Sequence, residues 1–484
     1  MRCLLANREI KARPNSIYQA YLVQSKFKVK FAELFKNIMM KTFEPESLDV
    51  RFASNSGRKT IEGNHCTDRR PGSIQLLTNC SIRLAITFFL LSVVSTNVGN
   101  AEPRPAVVVT DAARKIHASG FIFDGHNDLP WAVRTDFSSS FDQADISKNV
   151  PKLQTDIPRL RQGNVGAQFW SVYVPATTAE DGTAFAKTVE QIELVKAMVK
   201  RYPETFELAR TVGDIERIQK SGKIASLMGV EGGHSIEDSI ENLRRLHKLG
   251  AGYMTLTHSD TLSWVDAATD EPKHHGLTPF GEEIIREMNR LGILVDLSHV
   301  SAETMKDAIR VSSAPVIFSH SSARTVADHP RNVPDDVLLQ VKKNGGVVMV
   351  NFYSGFVHPE SARKRANMFQ VNRELRAQFP LEADFKAARK RWDAEHPIER
   401  GSVHDVVDHI DHIVKIAGID HVGIGSDYDG ITLLPEQLDD VSTYPVITQE
   451  MLNRGYTATQ IHQVMSGNIL RVMRKAEAVA AKAQ

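Results

Sequence analysis

The chain has 3 cysteines in 484 residues, Cys3, Cys66 and Cys80, so nothing after position 80 carries a thiol. The part beyond that point cannot be held by internal disulfides and offers no thiolate as nucleophile or metal ligand. An excess of one charge is also missing, because 59 Lys+Arg stand against 58 Asp+Glu, a net +1. That balance averages two unlike parts. Residues 1–101 hold 15 Lys+Arg and 7 Asp+Glu, a net +8, which leaves 44 against 51, a net −7, in the rest. A mildly acidic body without a basic stripe argues against nucleic acid as its partner. Long apolar runs are scarce too. The uncharged stretch 84–94 is too short to span a bilayer comfortably.

That stretch has a specific setting. Arg83 precedes it, and a polar segment ending in Gly99, Asn100 and Ala101 follows it. A positive flank, a short apolar core and small residues before a cleavage point describe a secretory signal peptide, expected here over 83–101. Residues 1–82 then read as a basic extension, disordered or belonging to a start assigned too far upstream. Residues 102–484 read as the mature body, exported from a bacterial cell to the periplasm or the medium. A lipid anchor on Cys80 is not expected, since Cys80 comes before the apolar core and not after it. The Ala/Lys-rich segment 477–484 carries no C-terminal anchor signal either. No stable membrane anchor is expected in the mature form. Monomer and homodimer both stay open.

From residue 102 onward, short apolar runs alternate with amphipathic stretches. The runs are 121–123, 166–174, 224–230, 252–257, 292–297, 315–318, 346–351 and 421–425. Between them, helical spacing covers 183–201, 236–248, 279–291, 302–311, 334–343, 403–417 and 457–476. Strands that are apolar on both faces belong to a parallel sheet covered by helices. Eight such runs, most followed by a helix, predict a (β/α)8 TIM-like barrel, with doubly wound α/β as the competitor. The charged segment 356–400 interrupts the rhythm and predicts a helical insert after the seventh strand.

The chemistry gathers where the strands end. His126 and Asp128 are two residues apart at the end of the first run, so they share a face. Glu231 follows the run at 224–230, His258 the one at 252–257, His299 the one at 292–297, His320 the one at 315–318, and Asp427 the one at 421–425. A barrel brings all these ends to one face, turning residues remote in sequence into neighbours. Taken singly, each has an ordinary reading as a hydrogen-bonded core or loop residue. Together they form an imidazole and carboxylate set without thiolates, which suits an open catalytic zinc site. His274 and His275 fall in a loop and read as solvated. His404, His409 and His412 lie on a helix remote from the strand ends and read as surface residues. His234 reads as a neighbour of the site or a helix-start residue, and Asn351 and Tyr353 as possible pocket walls.

The motifs DGHNDLP, GVEGG, LTHSD, DLSH, FSHSSAR and GSDYDG resemble the membrane (renal-type) dipeptidase family, peptidase family M19 of the amidohydrolase superfamily. The resemblance covers about 105–475. It implies two zinc ions per subunit and hydrolysis of free dipeptides, including those with a C-terminal D-residue, by a hydroxide held between the metals. It further implies that His126 and Asp128 bind one zinc, that His299 and His320 bind the other, and that Glu231 bridges them. By the same likeness His258 polarises the scissile carbonyl, Arg331 takes the substrate carboxylate, and Asp427 meets the amino group and handles the proton. Two other readings compete. One is a related binuclear amidohydrolase acting on lactones, phosphoesters or N-acyl amino acids, and the other is a periplasmic binding protein without catalysis. Arg331 and Asp427 separate the dipeptidase from the first, because reading both ends of a zwitterion needs a cation and an anion, and the second predicts loss of Asp427 or His258, both of which are present.

Overall fold

The computed structural model describes residues 104–483. The expected extension 1–82 and signal peptide 83–101 lie outside the described residues. Nine strands form one parallel sheet: β1 Ile122–Asn127, β2 Val165–Tyr173, β3 Phe206–Leu208, β4 Ile224–Glu231, β5 Ala251–Thr255, β6 Leu294–Asp296, β7 Ile317–Phe318, β8 Val347–Val350 and β9 Val422–Ile424. Their order is β2-β1-β9-β8-β7-β6-β5-β4, and a β2–β4 pairing closes the ring. This is the eight-stranded (β/α)8 barrel that the alternation of runs predicts. The sequence reading missed β3, which pairs with the first residues of β4 outside the ring. Three residues with one buried position among them leave no apolar run to recognise.

The helices follow local chemistry. Thr278 caps Pro279–Leu291 by accepting the Gly281 N–H, proline opens the helix, and Gly292 closes it at φ 79°. Ser239 caps Ile240–Leu249, so that helix starts four residues later than its apolar spacing suggests. The stretch expected at 457–476 divides into Ala458–His462, a wide turn at Gln463–Gly467, and Asn468–Ala483. After β8, the seventh strand of the ring, the chain makes the expected insert of four helices: Ser354–Val357, Pro359–Arg365, Met368–Gln378 and Glu382–Glu395. Among the described residues no helix is long and apolar enough to cross a membrane.

The core also sets up the site. Phe123, Phe169, Leu227, Tyr253 and Met349 of the strands pack in one buried cluster with Ile469 and Met473 of the last helix. Within it the Phe169 ring lies 5.4 Å from Phe123 and 4.8 Å from Tyr253. A Cβ on Gly229 would come within 1.9 Å of the Tyr253 ring, so glycine there is what lets Tyr253 lie across β4. Tyr253 is fully buried, and its hydroxyl meets His126 at the upper end of this stack.

Candidate metal centre

The barrel brings the predicted residues to one face. His126 is in β1 and Asp128 just beyond it, while Glu231 ends β4. His258, His299, His320 and Asp427 stand in the turns after β5, β6, β7 and β9, and Arg331 in the longer loop after β7. His126, Asp128, Glu231, His299, His320, Arg331 and Asp427 are all buried, and His258 is partly open at 18 % side-chain exposure.

Glu231 is the centre of the geometry. Its Oε1 lies 3.3 Å from His299 Nε2, 3.5 Å from His320 Nε2 and 3.8 Å from His258 Nε2. Its Oε2 lies 3.5 Å from His126 Nε2, which is also 3.2 Å from Asp128 Oδ2. The two oxygens therefore face two separate nitrogen sets. The His299 and His320 Nε2 atoms are 2.9 Å apart. Three overlapping groups have ligand atoms close enough to hold a cation: His126, Glu231 and His320; Glu231, His258 and His299; and His126, Asp128 and Asp427. His126 Nε2 is buried without a hydrogen-bond partner although it faces two carboxylates. Imidazole nitrogens and carboxylate oxygens converging at these distances make a donor set for a divalent cation, and the residues present fit a two-metal centre.

Electrostatics point the same way at Glu231, His299 and His320. Burial would raise the Glu231 carboxyl, but His126, His299 and His258 hold it well below the usual carboxylate range. Burial, followed by the charge on Arg331, keeps His299 well below the ordinary imidazole value. Burial, with His126 and Arg331, does the same to His320. Neutral imidazoles around an ionised carboxylate are in the protonation state that metal ligation requires. His126 is the exception and is pushed well upward: burial opposes protonation, but Tyr253, Glu231 and Asp128 outweigh it.

Several residues hold these side chains in place without having been singled out from the sequence. Tyr253 Oη is 2.7 Å from His126 Nδ1. Ser171 Oγ donates to Glu231 Oε2 at 3.0 Å. Asp296 accepts from Thr255 Oγ1 at 2.6 Å, Ser319 Oγ at 2.7 Å, and the Ser319 and Ser298 N–H groups, joining the ends of β5, β6 and β7. Ser319 Oγ, with its proton on Asp296, is 2.8 Å from His320 Nδ1 and must accept there. That fixes the His320 tautomer and turns the lone pair of Nε2 toward Glu231. Asp124 plays the matching part across β1 and β9, accepting from the Ser426 N–H, the Tyr444 hydroxyl and the His126 N–H. The signal for both aspartates was a charged residue inside an otherwise apolar strand.

His299 at φ 71° and Asp427 at φ 67° sit in the left-handed region that non-glycine residues avoid. Such strain costs on the order of 1–3 kcal/mol each and persists where surrounding contacts over-determine the backbone. For Asp427 those contacts include its N–H on the His126 carbonyl at 3.1 Å and its Oδ2 accepting from Asn351 Nδ2 at 2.8 Å. Burial pushes the Asp427 carboxyl well up; His126 opposes this, and the charges on Asp128 and Glu231 add to it.

Arg331 is 1 % exposed, and among the described residues it forms no ion pair. Its Nη1 donates to Ser321 Oγ and its Nη2 to the His320 carbonyl, both at 3.2 Å, while Nε has no partner. Burial drags the guanidinium down to about 10, against the pull of Asp427, Glu231 and Asp296. The backbone N–H of Arg331 donates to His329 Nδ1 at 3.1 Å.

The remaining histidines correct the sequence reading in part. His409 is not a surface residue: it is fully buried, with Nδ1 accepting the Ala323 N–H at 2.9 Å and Nε2 on the Val357 carbonyl. His404 is buried against Glu450 at 2.9 Å. Their helix packs its histidine face inward, which apolar spacing alone does not reveal. His274 is half-buried and bonded to the Leu262 carbonyl, whereas His275 is exposed. His234 bonds the Val174 carbonyl at 2.9 Å.

The profile of the membrane dipeptidase family (peptidase family M19) matches residues 110–484. Dipeptidase 3 of Mus musculus is 40 % identical over 367 residues, which cover 75 % of this chain and 65 % of the mouse protein. Dipeptidase verJ of Clonostachys rogersoniana is 39 % identical over 380 residues, 76 % of this chain and 88 % of the fungal one. The chain thus spans just under two thirds of the mouse protein's length. The barrel superposes on the probable dipeptidase PvdM from Pseudomonas aeruginosa with a TM-score of 0.66 at 23 % identity, covering 76 % of this chain and 98 % of that one. It superposes on a metallo peptidase from Rhodobacter sphaeroides, solved with a phosphinate mimic of L-Ala-D-Ala, with a TM-score of 0.60 at 22 % identity, covering 74 % and 99 %. On its sequence, the chain belongs to the membrane dipeptidase family, peptidase family M19.

Proposed function

We propose that the protein hydrolyses the peptide bond of free dipeptides, including those ending in a D-residue, with two zinc ions as cofactor. The observation that carries this reading is Arg331, a buried guanidinium beside the cluster with no carboxylate of its own among the described residues. Its planar fork suits the terminal carboxylate of a substrate. His126 and Asp128 would hold one zinc, His299 and His320 the other, and Glu231 would give one oxygen to each. When bound, such ions polarise a carbonyl and lower the pKa of water from about 15.7 to about 7.

The chain's own residues do the rest. Arg331 fixes the carboxylate end, its guanidinium braced by Ser321 and the His320 carbonyl and its backbone N–H by His329. Asp427, oriented by Asn351, pairs with the free amino group and carries the proton released by the attacking water to the leaving nitrogen. His258, the member of the set with an open edge, hydrogen-bonds the carbonyl oxygen as it gains negative charge. We further propose that residues 83–101 direct export, so that the mature protein begins at Glu102; N-terminal sequencing of the exported form tests this.

The test is hydrolysis of L-Ala-L-Ala and L-Ala-D-Ala by the zinc-loaded protein, beside N-acetylated Ala-Ala and Ala-Ala-Ala. Release of alanine from the free dipeptides alone supports recognition of both ends. Equal cleavage of the acetylated peptide would move the assignment to another amidohydrolase substrate, and inertness of L-Ala-D-Ala would remove the D-residue from it.

A further inference from the structure

The insert after β8 reaches back over the metal centre at one point. Helix Met368–Gln378 places Phe369 with its ring 6.3 Å from His258 and 6.1 Å from His299, edge-on to both. The same ring stacks at 6.4 Å and 14° on Phe356, and Phe356 in turn lies 5.4 Å from the Arg331 guanidinium. Phe369 is 7 % exposed and Phe356 4 %. An apolar wall therefore runs from His258 to Arg331, along the side where the C-terminal residue of a dipeptide must lie once Arg331 holds its carboxylate.

The wall is held in position by a neighbour one helical turn on. Arg373, four residues after Phe369 and so on the same helix side, donates from Nη1 to the Ser259 carbonyl at 3.2 Å and from Nη2 to the Thr269 carbonyl at 3.0 Å. It also pairs with Asp270 at 3.3 Å and Asp260 at 3.8 Å. Ser259 follows His258 directly. One arginine thus ties the helix bearing Phe369 to the turn bearing His258 and sets the gap between them.

We propose that Phe369 is a specificity-determining residue of this site, forming the wall of the subsite for the C-terminal residue and restricting it to small side chains such as Gly and Ala. Arg373 is its positioning residue. The inference rests on the dipeptidase reading above. With Phe356 against Arg331 and Phe369 against His258 and His299, these rings border the C-terminal side chain of a substrate whose carboxylate is held by Arg331, and a large side chain would meet them. Each methylene that a tight apolar pocket rejects is worth about 10- to 200-fold in kcat/KM.

The experiment compares Ala-Gly, Ala-Ala, Ala-Leu and Ala-Phe on the zinc-loaded wild type, Phe369→Ala, Phe369→Leu and Arg373→Ala, with zinc content and circular dichroism recorded for each. Wild type should favour Ala-Gly and Ala-Ala. Phe369→Ala should raise the Ala-Leu to Ala-Gly ratio of kcat/KM at least about tenfold, and Phe369→Leu, which keeps more bulk, by less. Arg373→Ala should shift the same ratio through KM more than through kcat. A ratio unchanged in both Phe369 variants, with zinc and fold intact, overturns the inference while leaving the dipeptidase reading in place. A wild type that cleaves none of the four overturns both. If Phe369→Ala does not fold, Phe369→Leu decides alone.

Discussion

Ser319→Ala removes one oxygen that touches no substrate, and the structure says what it should cost. Ser319 Oγ gives its proton to Asp296 at 2.7 Å and takes one from His320 Nδ1 at 2.8 Å. Without it, His320 has two choices. It can keep Nδ1–H buried with no acceptor, a penalty of about 1–3 kcal/mol. Alternatively it can move the proton to Nε2, which then points at Glu231 Oε1 3.5 Å away and presents no lone pair to a cation. Either route charges that penalty to metal binding, a loss on the order of 5- to 150-fold in zinc affinity. The assay is a zinc titration of the stripped protein against a chromophoric chelator, with the melting temperature recorded to confirm that the barrel survives. An affinity equal to wild type in a folded Ser319→Ala protein would refute the reasoning that the Asp296–Ser319 pair sets the His320 tautomer.

Further outcomes follow from the same geometry. Asp427→Asn should keep its zinc and lose about 10²- to 10⁴-fold in kcat, measured on a free dipeptide; near wild-type turnover would remove the proton-carrying role. Gly229→Ala should destabilise by about 1–3 kcal/mol in chemical denaturation, because the new methyl would lie 1.9 Å from the Tyr253 ring. It should weaken zinc binding as well, because Tyr253 holds His126. Burial holds His234 and His409 near 4 and His329 near 3. Between about pH 6.5 and those values the unfolded chain binds protons that the folded chain refuses, so stability falls as pH falls across that window. Each histidine contributes up to about 1.4 kcal/mol per pH unit. Urea midpoints from pH 7 to 4.5 should show this, and His409→Gln should flatten the slope by up to one such contribution.

Much of this was legible in the sequence because of how a barrel is built. Each strand is a short buried run, and each functional residue sits at or just past its end, so His126, Glu231, His299, His320 and Asp427 could be placed without knowing any contact. What stayed hidden depends on partners far away in the chain. Tyr253 looks like an ordinary strand aromatic until Gly229 opens the space that lets it reach His126. Asp124 and Asp296 look like strand polar residues until four donors converge on each, three of them from remote parts of the chain. His409 was misread because helical spacing identifies the apolar face but not a histidine whose two nitrogens both find backbone partners inside. The insert was visible as a break in rhythm, but the return of Phe369 to the site was not, since nothing local links it to His258.

In the proposed function one carboxylate, Glu231, is shared by two metal ions. The most direct test of that sharing is the zinc content of wild type and Glu231→Ala after exhaustive dialysis, measured by elemental analysis on folded protein. Wild type should hold two zinc ions per chain and the variant close to none, because each cation loses the ligand it shares. A wild type that holds a single zinc, or a folded Glu231→Ala that still holds two, would contradict it.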